Sequence, residues 1–367
     1  MTVKDIYIKN FRNYADNTFT FDEGVNVIIG DNAQGKTNLI EAVYYLTGAR
    51  SFRARSDGEL VRFGESGFEI SAGILSGDRE QKLRAVYASG RRKQLFSNGA
   101  KLKTSSELSG KLTAVLFSPD DLYIIKEGSS ARRRLMDGCI SQMRPRYAQI
   151  LSRFRRAYDQ KTRILKDYRE KPSLLDTLEE YDILLARLSA NLIYYRAYFA
   201  ESLNRYAGQI HSDFSGGKEN LSIKYKTVST VSDPKRKPAE IFEDILLHQK
   251  SHKKAELESG LCLTGAHKDD LEIFINGKPA RSFASQGQTR TAALSLKLSE
   301  REIHFADRGE YPILLLDDVL SELDETRQNY ILNRISHGQV FITCCEGGKI
   351  EAATGGRIIR IKDGREI

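Results

Sequence analysis

Residues 26–46, NVIIGDNAQGKTNLIEAVYYL, pass from apolar strand through a glycine-containing loop into apolar helix. Val25, Val27, Ile28 and Ile29 predict a short buried strand, and Leu39, Ile40, Val43, Tyr44 and Leu46 recur afterwards at helical spacing. Between them, Gly30-x-x-x-x-Gly35-Lys36-Thr37 has the spacing of a P-loop in the strand-then-helix setting such a match requires. The glycines let the backbone curl so that successive N–H groups face one anion, at the positive end of a helix beginning near Lys36. Gly30, Asp31, Asn32, Ala33, Gln34, Gly35, Lys36 and Thr37 are therefore the expected cradle of a nucleoside triphosphate. Lys36 is placed to reach the β/γ-phosphates and the Thr37 hydroxyl to ligate Mg²⁺. A chance match in a glycine-rich turn would explain the spacing, but not both flanks.

A P-loop needs an acidic residue at the tip of a neighbouring strand to hold the metal and its water. The apolar run ILLLDD, residues 313–318, supplies it from the far end of the chain. Asp317 is expected to orient the metal and Asp318 to polarise the attacking water; the plainer alternative is a buried strand that ends in an acidic turn. The expected fold is α/β, a P-loop parallel sheet with an antiparallel β flank, assembled from residues 1–118 and 259–367. Residues 119–258 form a mostly helical insertion.

The pattern between these ends supports that division. Residues 3–29 alternate like strands, GFEISAGIL and KLRAVYAS read likewise, and Asn98-Gly99 marks a hairpin. From about residue 130 to 210 the apolar spacing becomes helical. Apolar residues step by three and four across 174–210, predicting one helix of about 35 residues spanning ~50 Å. Leu151, Phe154, Tyr158, Leu165 and Tyr168 carry a matching stripe, and Pro172 breaks the chain between the two, so an antiparallel helical arm is expected. A strand over 221–228, a helix near 239–256, a second hairpin in LEIFINGKPARSF, a helix from Gly287 onward, and strands in GQVFITCCE and GRIIRIKDG complete the reading.

Composition narrows the partners. A chain of 367 residues with 40% hydrophobic content can build two or three domains. No run approaches the roughly 18 apolar residues of a membrane span, and MTVKDIYIKNF lacks a signal-peptide core, so a cytoplasmic protein without a membrane partner is expected. Cys139, Cys262, Cys344 and Cys345 show neither disulfide nor zinc spacing, and the adjacent pair reads as buried strand. The net charge of +8 suits a polyanionic partner, yet many proteins that bind none carry as much.

Ser285-Gln286-Gly287-Gln288 places a hydroxyl and a small residue at a helix start, another place where N–H groups favour an anion. Alone, Ser285 would be read as an N-cap. Beside a P-loop, a second phosphate-binding helix start fits a nucleotide sandwiched between two protomers.

P-loop, SQGQ, LLLDD and SELD (residues 321–324) together resemble the ABC-type ATPase class that includes the SMC proteins. More narrowly, the chain resembles the RecF family of bacterial recombination mediators. The likeness runs from IYIKNFRNY through LFSPDDLYIIKEGSSARRRLMD and TGAHKDDLEIFING to QVFIT. It implies ATP and Mg²⁺ as cofactors, an ATP-dependent homodimer, and weak DNA-stimulated hydrolysis. It also implies binding to duplex DNA near single-strand gaps, cooperation with RecR and RecO in loading RecA, support of the SOS response, and a nucleoid-associated location.

Residue by residue, Gly30 to Thr37 match the Walker A loop, Ser285, Gly287 and Gln288 the signature, Asp317 and Asp318 the Walker B end, and Asp324 the D-loop, with Thr343 on the switch strand. Most ABC ATPases carry glutamate where Asp318 stands and histidine where Thr343 stands. Cys344 and Cys345 occupy positions where RecF proteins commonly have threonines. Ser118 to Asp121 stands at the Q-loop position without a glutamine.

Two rivals carry the same ATPase signature, a transporter ATPase subunit and a structural SMC-like bridging protein. The long helical insertion argues against the first, and coiled coils far short of SMC length against the second. DNA contact is expected from basic residues outside the apolar pattern: Arg50, Arg53 and Arg55; Arg91, Arg92 and Lys93; and Arg132, Arg133 and Arg134.

Overall fold

Alternating burial draws the N-terminal segment into extended structure. A computed structural model describes residues 1–48, 50–335, 337–345 and 355–367. Strands β1 (Thr2–Phe11), β2 (Tyr14–Thr20) and β3 (Val25–Ile29) lead to helix α1 (Lys36–Gly48). Then come β4 (Gly67–Ser76), β5 (Arg79–Ala88), β6 (Gln94–Ser97), β7 (Ala100–Lys101) and β8 (Ala114–Phe117). Six of these form an antiparallel sheet in the order β2-β1-β4-β5-β6-β7. At the β6–β7 turn, Asn98 and Gly99 have φ of 50° and 79°, the backbone a two-residue hairpin of Asn-Gly type demands.

Residues Ile124–Ala292 make a compact unit of their own. It contains α2 (Ser129–Met143), α3 (Pro145–Asp167), α4 (Leu178–Ser215), β9 (Leu221–Lys226), α5 (Pro238–Ser259), β10 (Asp270–Ile275), β11 (Lys278–Pro279) and the single turn α6 (Ala280–Phe283). The helical stretch read from residue 130 is two helices at its start, because Pro145 lacks the N–H needed to continue α2 but is well suited to open α3. α4 is 38 residues long, about 57 Å at 1.5 Å per residue, and ends where Gly216 turns left-handed at φ 58°. Its start lies later than the apolar stepping suggested, since Pro172–Thr177 forms a 3-10 turn. α3 and α4 run antiparallel: Tyr147 of α3 packs edge-on to Tyr195 of α4, while Lys161 of α3 pairs with Asp182 near the start of α4.

Buried charge ties this unit together. Lys161 holds Asp182 at 2.7 Å and Glu256 of α5 at 2.6 Å, and Arg196 of α4 holds Asp137 at 2.8 Å and Asp269 at 2.6 Å. Removing one member of such a pair would strand a buried charge, so these contacts fix which helix faces meet. The second hairpin turns at Asn276-Gly277, but its return strand is only two residues because Ala280–Phe283 coils into a helical turn.

α7 (Gln286–Arg308) begins in this unit and continues into the other, which comprises Met1–Tyr123 and Ala293–Ile367. There, β12 (Ile313–Asp317), α8 (Glu325–Arg334), β13 (Val340–Cys344), β14 (Arg357–Lys362) and β15 (Arg365–Glu366) complete a second sheet in the order β15-β14-β3-β13-β12-β8. Every neighbouring pair from β14 to β8 is parallel, and β15 alone is antiparallel. Leu39, Ile40, Val43 and Leu46 of α1 share one core with Ile6, Ile8 and Ile70 of the antiparallel sheet and Ile28, Leu315 and Phe341 of the parallel one. Burial of these side chains, about 1.5–3 kcal/mol each, fixes α1 against the strand ends. The adjacent cysteines split: Cys344 is buried at the end of β13, whereas Cys345 lies beyond the strand and is exposed. Glu346, which closed the strand read from sequence, lies outside the described residues.

Candidate nucleotide site

The P-loop follows β3, an interior strand of the parallel sheet, so it opens at the carboxyl end of the strands. Ala33 and Gly35 have φ of 67° and 120°, which turns successive peptide units inward. Glycine is required twice. A Cβ on Gly30 would strike the Ile361 carbonyl oxygen, and one on Gly35 would come within 2.8 Å of the Asn13 amide and 3.0 Å of the Tyr14 hydroxyl. Those neighbours brace the loop: Tyr14 donates to the Gly35 carbonyl at 2.9 Å and Asn13 Nδ2 to that of Gln34 at 2.8 Å. From the other side, the β14–β15 turn donates Asp363 N to Gln34 Oε1 at 2.6 Å and Gly364 N to the Gln34 carbonyl at 3.1 Å. Lys36 is 4% exposed and its ammonium donates to the carbonyls of Gly30 (2.8 Å) and Asp31 (3.1 Å). Its charge is thus held inside the curl of the loop.

Parallel register delivers the remaining groups. Asp317 ends β12 opposite Thr343 of β13, and Thr343 lies opposite Ile28 of β3. Thr37 Oγ1 donates to Asp317 Oδ1 at 2.8 Å, and Thr343 Oγ1 donates to the same oxygen at 3.0 Å. Burial pushes the Asp317 carboxyl above the usual carboxylate range, against those two hydroxyl donors. Asp318 follows with φ 52°, a left-handed conformation that Asp tolerates better than most residues, and its N–H is held by Thr343 Oγ1 at 2.8 Å. The Thr37 hydroxyl and the Asp317 carboxylate are the hard oxygen donors Mg²⁺ takes. One carboxylate and one hydroxyl fit a cation that takes its other oxygens from phosphates and water.

Beside the loop is an open hollow of about 560 Å³ lined by Arg12, Asn13, Asn38, Arg53, Glu59, Val61 and Phe63. Arg12 donates through Nε and Nη2 to both oxygens of Glu41 at 2.8 and 2.9 Å, and Asn38 donates to Asn13 Oδ1 at 2.8 Å. Burial opposes ionisation of Glu41, but hydrogen bonds from Arg12 and Arg53 outweigh it and hold the carboxyl below its usual range. The roles of Arg12, Asn13 and Asn38 escaped the sequence reading, although Arg12 and Asn13 lie in the quoted IYIKNFRNY. The signal was that N-F-R-N interrupts the alternation; Asn10 and Arg12 indeed carry φ of 52° and 55°.

In the other unit, Ser285 and Gln288 close a capping box on α7. Gln288 N donates to Ser285 Oγ at 3.2 Å, and Ser285 N donates to Gln288 Oε1 at 2.9 Å. Gln288 Nε2 also reaches Glu219 at 2.8 Å, and Lys126 gathers the carbonyls of Arg281 and Ala284 at 3.1 and 2.9 Å, fixing the approach to the helix. Ser285 is exposed and Gly287 half-buried. Back in the first unit, Ser321 Oγ donates to the Asp318 carbonyl at 2.6 Å, and Asp324 caps α8 by accepting from Arg327 N at 3.0 Å.

The basic residues separate on inspection. Arg50, Arg55, Arg91, Arg92 and Arg134 are exposed, Arg134 pairing with Glu127 at 3.5 Å. Arg53 is committed to Glu41 at 2.7 Å and Lys93 to Asp57 at 3.0 Å. Arg133 donates to the Asp269 carbonyl at 2.7 Å. Arg132, expected outside the core, is instead 4% exposed; it pairs with Asp270 at 2.7 Å and donates to the Glu127 carbonyl at 2.8 Å. Every third or fourth position of α2 faces inward, and residue 132 is one of them.

Parallel sheet, P-loop, acidic strand tip and antiparallel flank together define an ABC-type ATPase head of the kind that SMC proteins carry. The model of the RecF/RecN/SMC N terminal domain matches residues 2–366. The DNA replication and repair protein RecF of Acetivibrio thermocellus is 40% identical over 367 residues, covering 100% of this chain and 99% of the relative. That of Agathobacter rectalis is 40% identical over 346 residues, covering 94% and 92%. A solved structure of the recombination mediator protein RecF-ATPrS in the RecFOR pathway superposes with a TM-score of 0.92 at 36% identity, covering 100% of this chain and 97% of that one. The Smc head domain from Pyrococcus furiosus, at TM-score 0.57 and 17% identity with 99% and 94% coverage, shares the fold. The chain belongs to the RecF family of DNA replication and repair proteins.

Proposed function

We propose that this chain is an ATP-controlled DNA-binding switch of recombinational repair and replication restart. The observation that carries the reading is the convergence of Thr37, Asp317 and Thr343 on one point at the mouth of the P-loop. A triphosphate accepts from the loop N–H groups and from Lys36, while its adenosine end has room in the hollow beside Asn13 and Asn38. Thr37 and Asp317 would hold Mg²⁺, which would supply charge to neutralise the phosphate oxygens. Asp318, turned out of the sheet at its left-handed backbone, orients the attacking water. Its short arm suits slow turnover. Likeness to RecF-ATPrS and RecF-ATP structures supports the nucleotide assignment.

A bound nucleotide leaves its γ-phosphate side open to a second copy, whose Ser285 and Gly287 helix start closes it, with Asp324 and Thr343 near the shared face. ATP thereby selects a two-fold dimer that grips duplex DNA at gaps, where RecR and RecO help load RecA and so support the SOS response. The exposed Arg50, Arg55, Arg91 and Arg92 are offered as phosphate contacts, and Arg53, Lys93, Arg133 and Arg134 would contribute by exchanging present partners for phosphate. The likeness to a RecFOR-pathway structure supports these partners, and the expected location is the nucleoid in the cytoplasm. Counting ATP hydrolysed per DNA-bound dimer tests the switch. On the order of one per minute agrees with it, whereas tens per second, near usual enzyme rates, indicates a motor.

A further inference from the structure

The chain's positive charge is unevenly divided. Of 57 basic and 49 acidic residues, 30 and 21 lie in residues 124–292, so that unit carries +9 and the remainder −1. Within the unit, three buried bases, Arg132, Lys161 and Arg196, face five carboxylates. Its outer surface is therefore more positive than its total.

Part of this excess is linear. On α3, Leu151, Phe154, Ala157, Lys161 and Ile164 are buried, and the opposite face exposes Arg153, Arg156, Arg163 and Lys166. None of these four is ion-paired with any described residue, and Asp159 and Asp167 are the acidic side chains on the same face. At 1.5 Å per residue the four cations span about 20 Å. We propose that this outer face of α3 is a track for the phosphate backbone of duplex DNA; the proposal rests on the switch reading above and places part of its DNA contact. A duplex offers one negative charge per ~1.7 Å of its axis, a rod of charge that three arginines and a lysine strung along one side of a helix can follow. Single strands are gripped through exposed aromatic platforms, and membrane surfaces through an apolar face. α3 supplies neither, because no large hydrophobic side chain is exposed on it.

The test is salt-dependent binding of the full-length chain to a blunt duplex of about 30 base pairs, with ATP, comparing the parent with R153Q/R156Q/R163Q. Losing three phosphate contacts should reduce the log–log salt slope by about 2.7 and weaken binding at least tenfold near 0.1 M salt. Nucleotide affinity should be unchanged, and the triple lysine variant should keep the parental slope. Unchanged slope and affinity in the glutamine variant, with a parent that binds, would overturn the track. So would loss of binding to phosphatidylcholine vesicles containing phosphatidylglycerol while duplex binding persists. A parent that binds no duplex under any nucleotide condition would overturn the switch reading itself.

Discussion

Thr37 Oγ1 donates to Asp317 Oδ1 over 2.8 Å although 280 residues separate them in the chain. One group comes from the first turn of α1 and the other from the tip of β12, with β13 between their strands. The hydroxyl spends its only proton on a carboxylate whose burial disfavours charge, so a divalent cation would reorganise both together. Thr37→Val and Asp317→Asn should each weaken ATP binding in Mg²⁺ by about tenfold or more, and change binding in EDTA much less. Titration calorimetry with and without EDTA distinguishes the two. Equal losses in both conditions would assign these side chains to the fold of the loop rather than to the metal.

Asp318→Asn should separate binding from hydrolysis. Asn tolerates the left-handed backbone observed at φ 52° and keeps the N–H bond to Thr343, so the local structure should persist. The variant should retain Mg-ATP, hydrolyse at least 100-fold more slowly, and accumulate as an ATP-bound dimer on sedimentation. Hydrolysis at the parental rate would remove Asp318 from the water-orienting position.

Cys345 offers a chemical probe of occupancy. Its thiol is exposed, donates to Asn32 Oδ1 at 3.1 Å, and stands 3.5 Å from the Lys36 ammonium. ATP seated in the loop should shield it, so that maleimide labelling slows about tenfold or more in saturating Mg-ATP. Cys139, Cys262 and Cys344 are buried and should label slowly in either state. Unchanged Cys345 labelling would place the nucleotide away from this edge of the loop.

The chain's own pattern made the head legible, since the P-loop, the acidic strand tip and the Asn-Gly turns are set by local backbone demands and apolar spacing. The long helix and its partner were legible for the same reason: their stripes are long enough to average over exceptions. What could not be read were features decided by tertiary contact. Arg132 looks like one of three surface arginines until Asp270 and the Glu127 carbonyl are folded against it. Arg12 and Asn13 become visible as supports of the site only when β1 and β2 bring them beside α1. Cys345 leaves the strand that Cys344 ends, because one residue beyond a strand's end the period of two no longer decides burial.

A buried histidine sets an acid limit on stability. His304 of α7 is fully buried, and burial first, then the nearby Arg308, pushes its imidazole down from 6.5 to about 4, with Asp307 opposing. Neither ring nitrogen has a hydrogen-bond partner among the described residues. The unfolded chain takes up this proton below pH 6.5 and the folded chain only below about 4, so stability is fully present above 6.5 and falls across that window. The whole window is worth about 3 kcal/mol and the step from pH 7 to 5 about 2 kcal/mol. Urea unfolding should therefore show His304→Leu losing less stability than the parent between pH 7 and 5. Parallel losses in both proteins would mean that His304 titrates normally.

In the proposed dimer each ATP is held by Lys36 of one chain and the Ser285 helix start of another. Lys36→Ala removes the point charge beside the phosphates, and Ser285→Arg blocks the helix start offered to a partner while leaving the P-loop sequence intact; each variant alone should be inactive. Mixed dimers contain one doubly damaged site and one site built from the two undamaged halves. The measurement is ATP hydrolysis by the mixture, with differently tagged copies to establish that mixed dimers form. Hydrolysis that reappears on mixing is the predicted result, and its continued absence in demonstrated mixed dimers would contradict the shared site.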